Sequence, residues 1–121
     1  MMLLQRIEPI RSEKHLAFIR ELPSLVRGTG PVEAAHVRYG ELRYGKDITG
    51  MALKPGDNWT VPLAHEVHMA QHARGEREWW EAQGIDPILV AALLWAHSGD
   101  HQAAERVISM ARFWPIRSIV A

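Results

Sequence analysis

Asp57-Asn58-Trp59-Thr60-Val61-Pro62-Leu63-Ala64-His65-Glu66-Val67-His68-Met69-Ala70-Gln71-His72 passes from a polar turn through an apolar stretch into a histidine-bearing segment. Trp59-Thr60-Val61 has the aromatic and β-branched character of a strand. Pro62-Leu63 leads out of it, and the spacing predicts a helix over 64–73. His68 and His72 are four apart and His65 is three before His68. A helix therefore presents all three imidazoles on one side. An Asp-Asn pair stands just upstream. These donors suit a divalent metal ion, and a bound metal ion can support phosphodiester hydrolysis.

Upstream, Ser12-Glu13-Lys14-His15 reads as a helix start with Ser12 as N-cap. Leu16, Ile19 and Leu22 supply its apolar stripe, and Pro23 ends it. The glycines and proline of 26–31 make a turn or loop. Val32 to Val37 is a short strand leading into Arg38. Residues 39–57 carry Gly40, Gly45, Gly50, Gly56 and Pro55 among charges. They read as one long loop, and a long loop in a small domain is often functional. The middle of the chain is thus strand, loop, strand, helix.

Downstream the pattern is helical. Glu76 to Gln83 forms a helix closed by Gly84. Asp86-Pro87 supplies N-cap and N1 of a helix running through Leu94-Trp95-Ala96. Gly99 stops that helix, Asp100 caps a last one through about Phe113, and Pro115 ends it. There is no internal repeat and no low-complexity segment.

The chain has 121 residues, the size of a single domain over 1–121. Its expected parts are an N-terminal helix with a strand–strand–helix core over 10–75 and a helical extension over 76–121. Without cysteine there is no disulfide and no thiolate-bound zinc. Any metal must sit on His, Asp, Glu, Asn or backbone oxygen. No stretch reads as a membrane span. The Met1-Met2-Leu3-Leu4 start is broken at once by Arg6 and Glu8, unlike a secretory signal. The expected location is the cytoplasm. Fourteen Lys and Arg balance fourteen Asp and Glu. A zero net charge counts against strong non-specific DNA binding. Arg38, Arg43, Lys46 and Lys54 nevertheless gather around the candidate site in the chain, with Glu41 and Asp47 among them.

The order of these motifs resembles the ββα-metal core of the HNH nucleases. More specifically, it looks like the small phage and prophage HNH-type proteins related to the phage recombination-enhancement nuclease. The resemblance is carried by residues 10–16 through Leu22-Pro23 and by Glu33-Ala34-Ala35-His36-Val37-Arg38. It continues through Gly50 to Asp57, Trp59 to Leu63 and His65 to His72, then Gly75-Glu76 and Trp79-Trp80. It spans roughly residues 10–87. The resemblance implies an α+β fold, a ββα-metal (HNH-like) core with an N-terminal helix and additional C-terminal helices. It implies a metal-dependent endonuclease acting on DNA, with His36 as general base and His68 and His72 as helix ligands. Asp57 is the expected oxygen ligand, with Asn58 beside it as a catalytic residue. Counted back from the helix, the family's middle asparagine falls near Trp59, so either neighbour fits that place. Asn58 alternatively holds the loop that positions His36. Arg38 and Lys54 are the expected DNA contacts. Two imidazoles with oxygen donors suit one ion of zinc, manganese or nickel better than magnesium.

Two departures stand out. The residue before the base is often Asp or His in that family, and here it is Ala35. Relatives often carry paired cysteines near 25–27 and 64–67, where this chain offers Leu25, Ala64 and Val67 for apolar packing. The simpler readings of single residues also have weight. A helical His pair is often an exposed polar face, His65 reads as solvated or as a support, and His15 reads as a surface helix residue. Trp79, Trp80 and Trp95 read as core or helix contacts. His65-Glu66-Val67-His68 lacks the spacing of the zinc-protease signature. The alternative functions are a non-catalytic DNA-binding or recombination accessory protein retaining the fold, and a small helical interaction protein.

Overall fold

The computed structural model describes residues 8–46 and 54–113. Among these, five α-helices and one two-stranded antiparallel sheet make an α+β architecture. Helix α1 spans Glu13–Arg20. Ser12 caps it, its Oγ accepting the His15 amide at 3.1 Å. Glu13 in the first turn and Arg20 in the last suit the helix dipole. The helix ends before Pro23, and Leu22 continues its buried stripe beyond the last turn.

Strand β1 (Val32–His36) pairs with β2 (Thr60–Ala64), with Ala34 opposite Pro62 and His36 opposite Thr60. The second strand thus runs through Pro62, where the sequence reading had it end. Backbone geometry explains this. The Val37 amide donates to Trp59 at 2.8 Å, so hydrogen-bonded pairs alternate from there and position 62 is a non-bonded one. The proline's missing amide hydrogen is not needed on that side. On the outer edge, the Pro62 carbonyl accepts the Leu25 amide at 2.8 Å, and the Ala64 amide donates to Ser24 Oγ at 2.8 Å. The 24–25 turn therefore covers the free edge of the ribbon.

Helix α2 (His65–His72) begins directly at the end of β2. Helix α3 (Glu76–Gln83) closes on Gly84, whose φ of 72° is left-handed. Helix α4 (Pro87–Ala96) starts on Asp86, which accepts the Ile88 and Leu89 amides. Helix α5 (His101–Met110) starts on Asp100, which accepts the Ala103 amide, and a short 3-10 turn follows at Ala111–Phe113.

The apolar face of α1, both strands, α2, α3, α4 and α5 share one buried cluster. Val90, Ala91 and Leu94 of α4 are fully buried in it, as expected of a helix that is apolar all round. Leu25, Ala64 and Val67 are buried there too, packed among the other apolar side chains. Trp79 and Trp80 belong to this core and Trp95 is half-buried.

His15 differs from its surface reading. It is 1% exposed. Its Nδ1 is 2.6 Å from Ser98 Oγ, and its ring meets Trp95 edge-on. The turn after α4 folds over it, a contact no local pattern reveals.

The predicted loop after β1 holds some order of its own. Glu41 and Lys46 bridge around a 3-10 turn at Leu42–Tyr44, and Tyr44 donates to Asp86 at 2.9 Å. Gly50 and Asp47 of that loop, and Pro115, lie outside the described residues. Among the described residues no helix is long and apolar enough to cross a membrane.

Candidate functional site

The strand–strand–helix unit carries the candidate side chains. Side chains alternate along a strand, so Glu33 and Ala35 leave one face of β1 and His36 leaves the other. Two polar groups follow from this split.

The first is built on His36. Its Nε2 lies 2.9 Å from Asp57 Oδ1. Asp57 is only 4% exposed. Its other oxygen accepts the Ser12 amide at 2.8 Å, and Arg11 stands 3.5 Å from Oδ1. Arg11 also donates to the carbonyls of Pro55 at 2.6 Å and Lys54 at 2.9 Å, stapling the turn before Asp57. The Asp57 amide in turn donates to the Ile10 carbonyl at 2.7 Å. Gly56 permits this close approach: a Cβ there would sit 3.1 Å from the Ile10 nitrogen and 2.4 Å from Asn58 Oδ1.

Burial holds the His36 pKa below its ordinary value; Asp57 pulls upward, and Lys54 and Arg11 push down again. His36 is therefore neutral at pH 7. Burial pushes the Asp57 carboxyl up, but the His36 hydrogen bond, the Ser12 amide and the Arg11 charge outweigh it and leave a lowered pKa. An ionised Asp57 only accepts. His36 thus carries its proton on Nε2, and Nδ1 presents a lone pair that no described residue takes up.

The second group lies between β1 and α2. Glu33 Oε1 accepts from His68 Nδ1 at 2.8 Å, and Oε2 accepts from His65 Nδ1 at 2.8 Å. These two hydrogen bonds hold the Glu33 carboxyl below its usual range. The His68 and His72 rings lie 4.6 Å apart, with their Nε2 atoms 3.1 Å apart. Burial, then the neighbouring charges of His68 and Arg38, lower the His72 pKa.

The Arg38 side chain is exposed, and its amide donates to both oxygens of Glu76 at 3.1 and 3.2 Å. Burial raises the Glu76 pKa, against the pull of that amide and of nearby cations. Lys54 is exposed near His36. Asn58 is half-buried and forms no side-chain hydrogen bond among the described residues. It packs against Gly56 instead.

The expected ligand set is thus divided. His68 and His72 meet each other, whereas Asp57 bonds His36, Ser12 and Arg11. Among the described residues no group of three or more His, Asp or Glu side chains is arranged to hold a metal ion. A pair of imidazoles nevertheless fits one. Two nitrogens each about 2.0–2.1 Å from a common ion stand about 2.9 Å apart at a right angle and about 3.4 Å apart at the tetrahedral angle. The observed 3.1 Å lies between these.

Sequence reasoning missed Glu33, Glu76 and Arg11. Strand alternation was a usable signal for Glu33, because it shares a face with position 35. Arg11 and Glu76 carried none, since their partners are 43–46 and 38 residues away in the chain. No family model, curated protein or solved structure matches this chain.

Proposed function

We propose that this protein is a metal-dependent phosphodiester hydrolase built on a ββα-metal core. More specifically, it is an HNH-type endonuclease acting on DNA, in phage or prophage DNA metabolism. The reading is carried by one observation: a neutral histidine at the end of β1, oriented by a buried carboxylate, on the same ββα unit as two facing imidazole nitrogens.

His36 Nδ1 accepts a proton from the attacking water. Asp57 holds the ring in the tautomer that leaves Nδ1 free and stabilises the imidazolium that forms. This assigns Asp57 to positioning the base, in place of metal ligation. His68 and His72 would hold the ion through their Nε2 atoms, leaving its other positions to phosphate and water oxygens. When bound, the ion supplies positive charge to the phosphate and the leaving oxygen. Arg38 and Lys54 meet the phosphate backbone as exposed cations. Gly56 and Asn58 shape the turn that carries Asp57.

A nicking assay on supercoiled plasmid with manganese, paired with calorimetry of manganese binding, tests this. His36→Ala should lose cleavage by about 10²-fold or more and keep the metal. His72→Ala should lose both. Equal cleavage by wild type and His36→Ala removes the base assignment. Ala35, which places no donor atom beside His36, favours the second reading of a non-catalytic DNA-binding accessory protein. A wild type that binds DNA and nicks with none of manganese, zinc, nickel or magnesium would establish that second reading.

A further inference from the structure

We infer that Glu33 is a positioning residue for the metal pair, holding His68 in the Nδ1–H tautomer so that its Nε2 lone pair faces His72. This rests on the reading that His68 and His72 bind a divalent cation.

Three bonds carry the argument. Glu33 grips two successive stripe positions of α2, accepting from His68 with one oxygen and from His65 with the other. A glutamate carboxylate is ionised near neutrality and only accepts. Its partner on His68 must therefore be Nδ1–H. A neutral His68 then has its lone pair on Nε2, the atom that faces His72 at 3.1 Å. Without such a partner, free imidazole favours the opposite tautomer, whose Nε2–H would point at the ion.

Strand geometry explains why position 33 serves. Ala35 lies on the same face of β1, two residues on, and has no donor atom to offer. The carboxylate two residues earlier reaches the first turn of α2 and acts on a ligand through its outer nitrogen. A histidine ligand commonly needs that support. The side chain of Glu33 is 37% exposed and that of His65 53%. Exposed pairs of this kind add little to stability. A mere brace would therefore leave a small trace in folding and none in metal affinity, which separates the two roles.

The test uses zinc as the probe and needs no DNA. Long-range proton–nitrogen NMR on the metal-free protein should show His68 as Nδ1–H in wild type. Glu33→Ala should move it toward Nε2–H. Zinc calorimetry should show affinity falling about ten- to a hundredfold in Glu33→Ala, with the melting temperature in chelator nearly unchanged. Glu33→Gln keeps one neutral acceptor and should fall between, and it carries the test if the alanine variant does not fold. His65→Ala should bind zinc within about twofold of wild type, and His72→Ala should abolish binding at this site. A wild-type His68 found as Nε2–H overturns the inference. So does tight zinc binding, lost in His72→Ala, that Glu33→Ala and Glu33→Gln leave unchanged. A wild type that binds no zinc, manganese or nickel overturns instead the metal reading on which the inference rests.

Discussion

Replacing Asp57 probes the turn that joins the start of α1 to the end of β1. The carboxylate accepts from Ser12 at 2.8 Å and His36 at 2.9 Å, and the Asp57 side chain is 6% exposed. Hydrogen bonds to a charged group contribute about 1.5–3 kcal/mol each. Arg11 keeps two backbone acceptors without Asp57 and its side chain is 47% exposed, so its share is small. The His36 side chain is 12% exposed and regains some water, so the two losses do not add fully. Asp57→Ala should therefore destabilise by about 3 kcal/mol, roughly 10 °C in Tm for a domain of this size. Urea unfolding at pH 7 with an unchanged slope measures it. Asp57→Asn is the sharper variant. Its amide oxygen still accepts the Ser12 amide, but its NH2 then faces His36 and requires a lone pair on Nε2. The proton moves to Nδ1 and the base is lost, so plasmid nicking should fall by about 10²–10⁴ with only about 1–1.5 kcal/mol of lost stability. A loss under about 0.5 kcal/mol for Asp57→Ala would refute the reasoning.

Gly28→Ala would put a Cβ 2.1 Å from Val67 Cγ2; Val67 is buried and stiff in its helix, so thermal unfolding should show a loss of about 1–3 kcal/mol. Asp86→Ala removes the α4 cap and the partner of Tyr44, and should cost about 1–2 kcal/mol by urea unfolding. Stability should also depend on pH. His15 and His36 have pKa values lowered first by burial, so the unfolded chain takes up protons before the folded one. Their contribution is complete above about pH 6.5 and is lost as pH falls through their folded values. Asp57 and Glu33 are depressed carboxylates, whose contribution is lost further down, below about pH 4. Glu76, a raised carboxylate, opposes this in part, favouring the fold on acidification. The net expectation is a urea midpoint that falls from pH 7.5 to 5, and a flat profile would contradict the burial of these imidazoles.

Much of the fold could be read locally, because its signals span only a few residues. Asp86-Pro87, Gly84 and Asp100 set helix boundaries through their own backbone preferences and caps. The His65–His72 stripe followed from helical spacing, and β1 from its short apolar run. Long-range partners could not be read this way. Pro62 stays in a strand because its carbonyl meets Leu25 and its missing amide hydrogen falls on a non-bonded position. His15 is buried because Ser98 and Trp95 close over it from the far end of the chain. Asp57 joined His36 instead of the helix pair because the two candidate groups leave opposite faces of one strand. Spacing along a chain specifies which side chains share a face. Which faces meet depends on how helices and ribbon pack to bury their apolar sides, and that packing made Glu33, not Asp57, the carboxylate beside His68.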